Sequence, residues 1–271
     1  MSIVRVRIED LTADAQEVRE RAIHTAKTET ERLIAEYRRL FGKHVGTDLA
    51  RELFPDYAKS LDNKLKYATA VQKSAAFIAD AVFQRLLDES NGGSALFTAG
   101  GTGAGKTTSL MRDGAGQRAL EGATVIYDGN FNSFESSKHK IDQALAAHCK
   151  VIVIFVHRHP VEAYLQGVLP RSLEQGRTVP IEGHLRMHRD ARKTFLKMRN
   201  TFVFNKNVSF MVLSNTGHES EAFAADIDYL KAIQYDQGAL GTAIKEGLDN
   251  AYAKQKITKT LYDASCGNTR A

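Results

Sequence analysis

Between Ser94 and Leu110 the chain passes from Ser-Ala-Leu-Phe-Thr-Ala straight into Gly-Gly-Thr-Gly-Ala-Gly-Lys-Thr and on into Thr-Ser-Leu. No other stretch restricts the fold as strongly. An apolar run that empties into a glycine turn and then a helix start is a strand–loop–helix unit. In it successive backbone N–H groups converge on phosphate oxygens at the positive end of the helix. Gly100 to Thr107 keep the G-x-x-x-x-G-K-[ST] spacing. The nucleotide-binding set is therefore Gly100, Gly101, Thr102, Gly103, Ala104, Gly105, Lys106, Thr107 and Thr108. Lys106 would reach the β- and γ-phosphates of a nucleoside triphosphate, and Thr107 the Mg2+.

Such a loop needs a parallel sheet to carry it, and the downstream pattern provides one. Apolar runs at 94–99, 123–128, 151–156 and 208–213 read as strands. Helical stretches at 105–119, 134–148, 160–168 and 185–199 separate them, with a polar lid before the last. This alternation predicts an α/β fold, a P-loop NTPase-type parallel sheet flanked by helices. Upstream, Val4, Val6 and Ile8 alternate with Arg5 and Arg7, the mark of a short edge strand over 3–8. Helical spacing from Ala13 to Phe41, with Thr12 available as cap, predicts one long amphipathic helix. Gly42 and Gly46 break it; a loop carrying Asp48, Arg51, Pro55 and Tyr57 leads to a second helix over 68–87. Helices at 220–235 and 240–261 and a frayed tail from Ser265 close the chain. The expected organisation is an N-terminal strand and helix (1–43), a core (44–215) with a lid at 170–185, and C-terminal helices (216–271) packed on the core.

At 271 residues and 43% hydrophobic content the chain can bury a substantial core. It has no apolar run of membrane-spanning length and no signal-peptide pattern, so the cytoplasm is the expected compartment. Cys149 and Cys266 lack metal-ligand spacing and read as a core thiol and a tail thiol. The net charge of +5 favours an anionic partner. From Arg171 to Arg199 eight basic residues face three acidic ones without an interleaved aromatic ladder, a pattern for phosphate chemistry rather than nucleic-acid tracking.

In parallel α/β sheets ligands bind at the carboxyl ends of strands, so polar residues there are the first candidates. Asp128, closing Val-Ile-Tyr-Asp, suits a magnesium or acceptor contact, or a turn. Arg171 and Arg177 lie in a segment interrupted by Gly176 and Pro180, where a guanidinium could close over a transferring phosphoryl group; solvated surface arginines are the plainer reading. Arg158, just past the 151–156 strand, could bind nucleotide or acceptor, or form a structural ion pair. On local physics alone Asp48 is an N-cap for a short helix starting at Leu49.

With these residues in view, the chain resembles the zeta toxin family, P-loop kinases that phosphorylate a hydroxyl of a nucleotide sugar, UDP-N-acetylglucosamine in the best-known members. Beside the phosphate loop, the likeness rests on Val151 to Tyr164, then Arg171, Arg177-Thr178-Val179-Pro180 and His184, similar to the family's strand, helix and Arg-bearing lid. Tyr127-Asp128-Gly129-Asn130-Phe131 is similar to the strand end carrying an acidic residue for the acceptor sugar, here Asp in place of Glu. The family's Asp-x-x-Arg segment follows the phosphate-loop helix, whereas here Asp48-Leu49-Ala50-Arg51, with Pro55 and Tyr57, precedes it. The resemblance thus implies a permuted arrangement, with the base-bearing element moved ahead of the loop.

The resemblance implies an ATP- and Mg2+-dependent kinase. Asp48, Lys106, Arg171 and Arg177 would be catalytic, Arg51, Asp128 and Arg158 would bind the substrate, and Thr107 and Asp128 would bind the metal. It also implies a nucleotide or nucleotide-sugar substrate and a possible antitoxin or inhibitor protein as partner, without membrane or nucleic acid. A P-loop ATPase acting with nucleic acid or a protein partner is the alternative, its basic 171–199 region serving as the grip.

Overall fold

Strand β2 (Ser94–Ala99), which feeds the phosphate loop, lies between β3 (Val125–Asp128) and β4 (Lys150–His157) in a six-stranded sheet. The computed structural model describes residues 11–175, 178–215 and 223–267, so the expected strand at 3–8 and Arg177 lie outside the described residues. With β1 (His44–Val45), β5 (Val208–Ser214) and β6 (Phe223–Ala225), the order across the sheet is β1-β3-β2-β4-β5-β6. All neighbours are parallel except β5 and β6, which run antiparallel. This is the expected parallel α/β sheet; β6 is an addition that sequence patterning does not show.

Ala95, Phe97 and Ala99 of β2 join a core with Phe83, Ile78 and Tyr37, while Leu96 points to a second core with Leu110, Ile154 and Leu213. Covering both faces is what makes the central strands uniformly apolar. The first core is roofed by the helices Ala13–Thr28, Thr30–Phe41 and Leu61–Glu89. A third cluster, around Tyr164, Leu185 and Ile244, joins the helices after β4 to Gln237–Ala253.

Chain order at the far edge matters for the site. β1 precedes β2 in sequence yet occupies the position outside β3, pairing His44 with Ile126 and Val45 with Tyr127. The short helix Thr47–Arg51 therefore rises at the carboxyl end of the sheet, beside the phosphate loop.

Several expected helices are divided differently. The 13–41 helix breaks at Glu29 (φ −122°, ψ 27°). There the Thr28 hydroxyl donates to His24 O at 2.9 Å and the Thr30 hydroxyl to Ala26 O at 2.7 Å, competing with the backbone ladder. Thr12 occupies the cap position, but its hydroxyl goes to Asp14. The 105–119 helix becomes Lys106–Arg112 and Gly114–Gly122; Asp113 caps the second through Gly116 N–H at 2.7 Å. The 68–87 helix extends to Leu61–Glu89, capped by Ser60. The 185–199 helix starts earlier, at Ile181, and runs to Thr201. The 220–235 helix shortens to Ile227–Ala232, and the 240–261 helix splits into Gln237–Ala253 and Lys259–Cys266. Ser265, placed in a frayed tail by the sequence, is fully buried, its hydroxyl 3.1 Å from that of Thr178. Cys149 is buried as expected. No helix among the described residues is long and apolar enough to cross a membrane.

Candidate active site

The phosphate loop owes its shape to glycine at three positive-φ positions, Gly100 (+138°), Gly103 (+72°) and Gly105 (+77°), the last standing at the cap position of Lys106–Arg112. Its carbonyls are held from outside by three side chains, one on the helix Ile181–Thr201 and two just past β4 and β5. His188 Nε2 donates to Thr102 O at 2.9 Å, Arg158 Nη1 to Gly103 O at 3.4 Å, and Asn215 Nδ2 to Ala104 O at 2.9 Å. With these oxygens drawn outward, loop N–H groups other than that of Ala104, which donates to Gly101 O at 3.2 Å, are left for an anion in the cleft.

Arg171 is helical. The chain after β4 coils as Pro160–Ala163, widens into a π-turn over Tyr164–Val168 and continues as Leu169–Gln175. The π-turn packs backbone on backbone against the loop: a Cβ on Gly167 would stand 2.6 Å from Gly103 O, and one on Gly103 would stand 2.2 Å from Ala163 O. Glycine on both sides permits this contact, and the extra residue of the wide turn carries Arg171 to the cleft rim. The polarity that suggests a loop here is that of a helix with one side in solvent.

The cleft has a volume of about 530 Å3. Thr102 to Thr108 line it on the phosphate-loop side, and Asp48, Arg51, Gln72, Asp128, Asn130 and Arg171 are among the residues that complete the lining. Lys106, 15% exposed, reaches from the loop with Nζ 3.1 Å from Asn130 Oδ1 and 3.7 Å from Asp128 Oδ1. The buried Thr98 hydroxyl donates to Asp128 Oδ1 at 2.6 Å, which fixes this carboxylate at the end of β3. Asp48 sits in the first turn of Thr47–Arg51, whose cap position is taken by Gly46, so the N-cap reading of Asp48 gives way. Arg51 Nη1 approaches Asp48 Oδ1 to 3.0 Å, while its Nε donates to Gln72 Oε1 at 3.0 Å. The guanidinium also donates to that oxygen through Nη2. Arg51 is thus a brace between Asp48 and the Leu61–Glu89 helix.

The structure brings Asp48, Arg51, Asp128, Arg171 and Thr102 to Thr108 to one cleft. Gly100 and Gly101 lie beneath the loop: a Cβ on Gly100 would meet Val156 O at 2.5 Å, and one on Gly101 the His188 ring at 2.2 Å. Arg158 is buried behind the loop, bonded to Gly103 O and, at 2.6 Å, to Gln166 Oε1. Burial holds its guanidinium pKa below the usual arginine value. Among the described residues no cluster of three or more His, Cys, Asp or Glu could hold a metal by itself. Thr107 and Asp128, both at the cleft, fit Mg2+, which takes few protein ligands and completes its shell with phosphate and water.

Sequence reasoning missed Gln72, Asn130, Asn215 and His188. Asn130 stood in the quoted Asp128–Phe131 segment, but the others carry no local signal, since His188 meets a loop residue 86 positions away. Burial pushes the pKa of His188 down to about 3, and those of His157 and His184 to about 4. His188 is therefore neutral at pH 7 and keeps its Nε2 proton for Thr102. His188→Leu is expected to weaken ATP binding about tenfold by calorimetry, and His188→Gln, which retains an N–H donor, to lose much less. The unfolded chain binds a proton on this residue below about pH 6.5 that the folded one refuses until about pH 3, so folding stability falls as pH drops through that window. In denaturant titrations His188→Gln should flatten this fall by about 1.4 kcal/mol per pH unit.

Residues 108–218 match the Zeta toxin family. Among solved structures, a chain from the PezAT chromosomal toxin-antitoxin system of the human pathogen Streptococcus pneumoniae is similar at a TM-score of 0.46 and 10% identity, covering 86% of this chain and 82% of that one. No curated protein matches the chain in sequence. Over the segment 108–218, less than half of its length, the chain is similar to the zeta toxin family, and its Asp48-bearing edge strand and helix lie ahead of the phosphate loop in chain order.

Proposed function

We propose that the protein transfers the γ-phosphoryl group of ATP to a hydroxyl of a nucleotide or nucleotide sugar, UDP-N-acetylglucosamine-like, and is the cytoplasmic toxin of a toxin–antitoxin pair. The observation that carries this reading is the two-walled cleft: a phosphate cradle faces an aspartate braced by an arginine. A nucleotide-hydrolysing switch needs only the first wall.

Asp48 accepts the proton of the acceptor hydroxyl as that oxygen attacks. Lys106 neutralises charge on the donor phosphates, and Arg171 stabilises the charge on the moving phosphoryl group from the rim, with Arg177 as its proposed companion. Asp128 and Thr107 would hold Mg2+, which would supply neutralisation of the donor phosphate charge. Arg51 and Asp128 face the acceptor, and Arg158 acts on the nucleotide only through the loop carbonyl it holds. Catalysis is then chiefly positioning and electrostatics. The antitoxin partner follows from the family resemblance.

Incubating the protein with Mg-ATP and a soluble metabolite extract should produce, by mass spectrometry, a compound heavier by one phosphate that is absent with Lys106→Ala. ATP consumption that DNA or RNA stimulates, with no phosphorylated metabolite, would instead support the P-loop ATPase reading.

A further inference from the structure

The strand that delivers Asp48 to the cleft is only two residues long, and what ends it is a tyrosine from the N-terminal helices. β1 pairs with β3 at His44 and Val45. At Gly46 the ladder stops. Tyr37, fully buried on Thr30–Phe41, places its hydroxyl against both backbone groups of that one residue. It accepts from Gly46 N–H at 2.9 Å and donates to Gly46 C=O at 3.2 Å, a double role open to a hydroxyl and to no apolar side chain. The same carbonyl accepts the first helical bond, from Ala50 N at 3.1 Å, so Tyr37 stands where strand turns into helix. Its ring is fixed by Phe41, edge-on at 5.0 Å, and burial raises its phenol pKa, keeping the proton on the oxygen. Asp48 follows two residues later.

We propose that Tyr37 is a positioning residue for Asp48: by capturing both polar groups of Gly46 it ends β1 and sets where the carboxylate stands over the cleft. The inference rests on the reading of Asp48 as proton acceptor. It makes the N-terminal helices part of the catalytic apparatus. Helix Thr30–Phe41 holds the backbone of the limb through Tyr37, and helix Leu61–Glu89 holds its side chains through Gln72 and Arg51.

The test compares wild type, Tyr37→Phe, Asp48→Asn and the double variant. In Tyr37→Phe, hydrogen exchange measured by mass spectrometry should rise over residues 44–52 and stay unchanged over the phosphate loop. ATP affinity should remain within about twofold, and transfer from Mg-ATP into a metabolite extract should fall about ten- to a hundredfold, as a displaced reacting group would cause. Adding Tyr37→Phe to Asp48→Asn should lower transfer no further. Wild-type exchange in Tyr37→Phe, an equal loss in the Asp48→Asn background, or a parallel loss of ATP binding would each overturn the proposal. A wild-type protein that phosphorylates nothing would fell the functional reading instead, and the exchange data would still decide whether Tyr37 holds the limb.

Discussion

Lys106→Ala lowers phosphate transfer by about three orders of magnitude or more, a loss of about 4 kcal/mol in transition-state stabilisation. Among the described residues the ammonium is the one lysine charge lining the cleft, 15% exposed and aligned by Asn130 at 3.1 Å. Its pairing with Asp128 is loose, at 3.7 Å, so a triphosphate can take the charge without first breaking a tight ion pair. Lys106 belongs to none of the three apolar clusters, so melting should show a stability change within about 1 kcal/mol. Single-turnover transfer and ATP titration separate its two contributions, since the donor charge grows in the transition state and chemistry should suffer more than binding. Lys106→Arg should not restore the rate, because a planar fork cannot replace a compact point charge in a cradle of backbone N–H groups. Wild-type transfer in Lys106→Ala would remove the glycine loop from the donor site.

The parts of this fold that are legible in sequence are those with one dominant cause. The central strands are apolar throughout because helices cover both faces, and the phosphate loop declares itself through glycines that no other residue could replace at positive φ. What stayed hidden depends on contacts between distant residues. Arg171 reads as loop because its helix is polar, and only the meeting of Gly103 with Gly167 shows why the chain winds wide and then resumes as helix. The break at Glu29 follows from two threonine hydroxyls that prefer carbonyls one turn back, a choice helix periodicity does not report. Arg158 looks like a ligand residue from its place after β4, yet it is buried against the loop, with Nη1 donating to Gly103 O and Nη2 to Gln166. Asp48 is the instructive case. Local rules make it a cap, the resemblance makes it a base, and the fold hands the cap position to Gly46 while carrying the carboxylate to the cleft.

Asp48→Asn should cost about two to four orders of magnitude in transfer while leaving ATP affinity unchanged, the reverse of a binding defect. The substitution is nearly isosteric. Its carbonyl oxygen can still accept from Arg51, and Arg51 keeps both of its bonds to Gln72, so the limb should hold its position. Stability should barely change, because the Asp48 side chain is 63% exposed and its pair with Arg51 is a solvent-screened one. What the amide loses is the ability to take a proton. Asp128 is not expected to take over, since one of its oxygens accepts from Thr98 at 2.6 Å and lies 3.7 Å from the Lys106 ammonium, which lowers its ability to take a proton. Asp48→Glu, with the carboxylate one methylene further out, should recover part of the rate if proton acceptance is the role, and none if Asp48 serves only to hold Arg51. Full activity in Asp48→Asn, measured as phosphorylated product per turnover of ATP, would reduce the pairing of Asp48 with Arg51 to an edge-strand brace and leave the second wall of the cleft without a base.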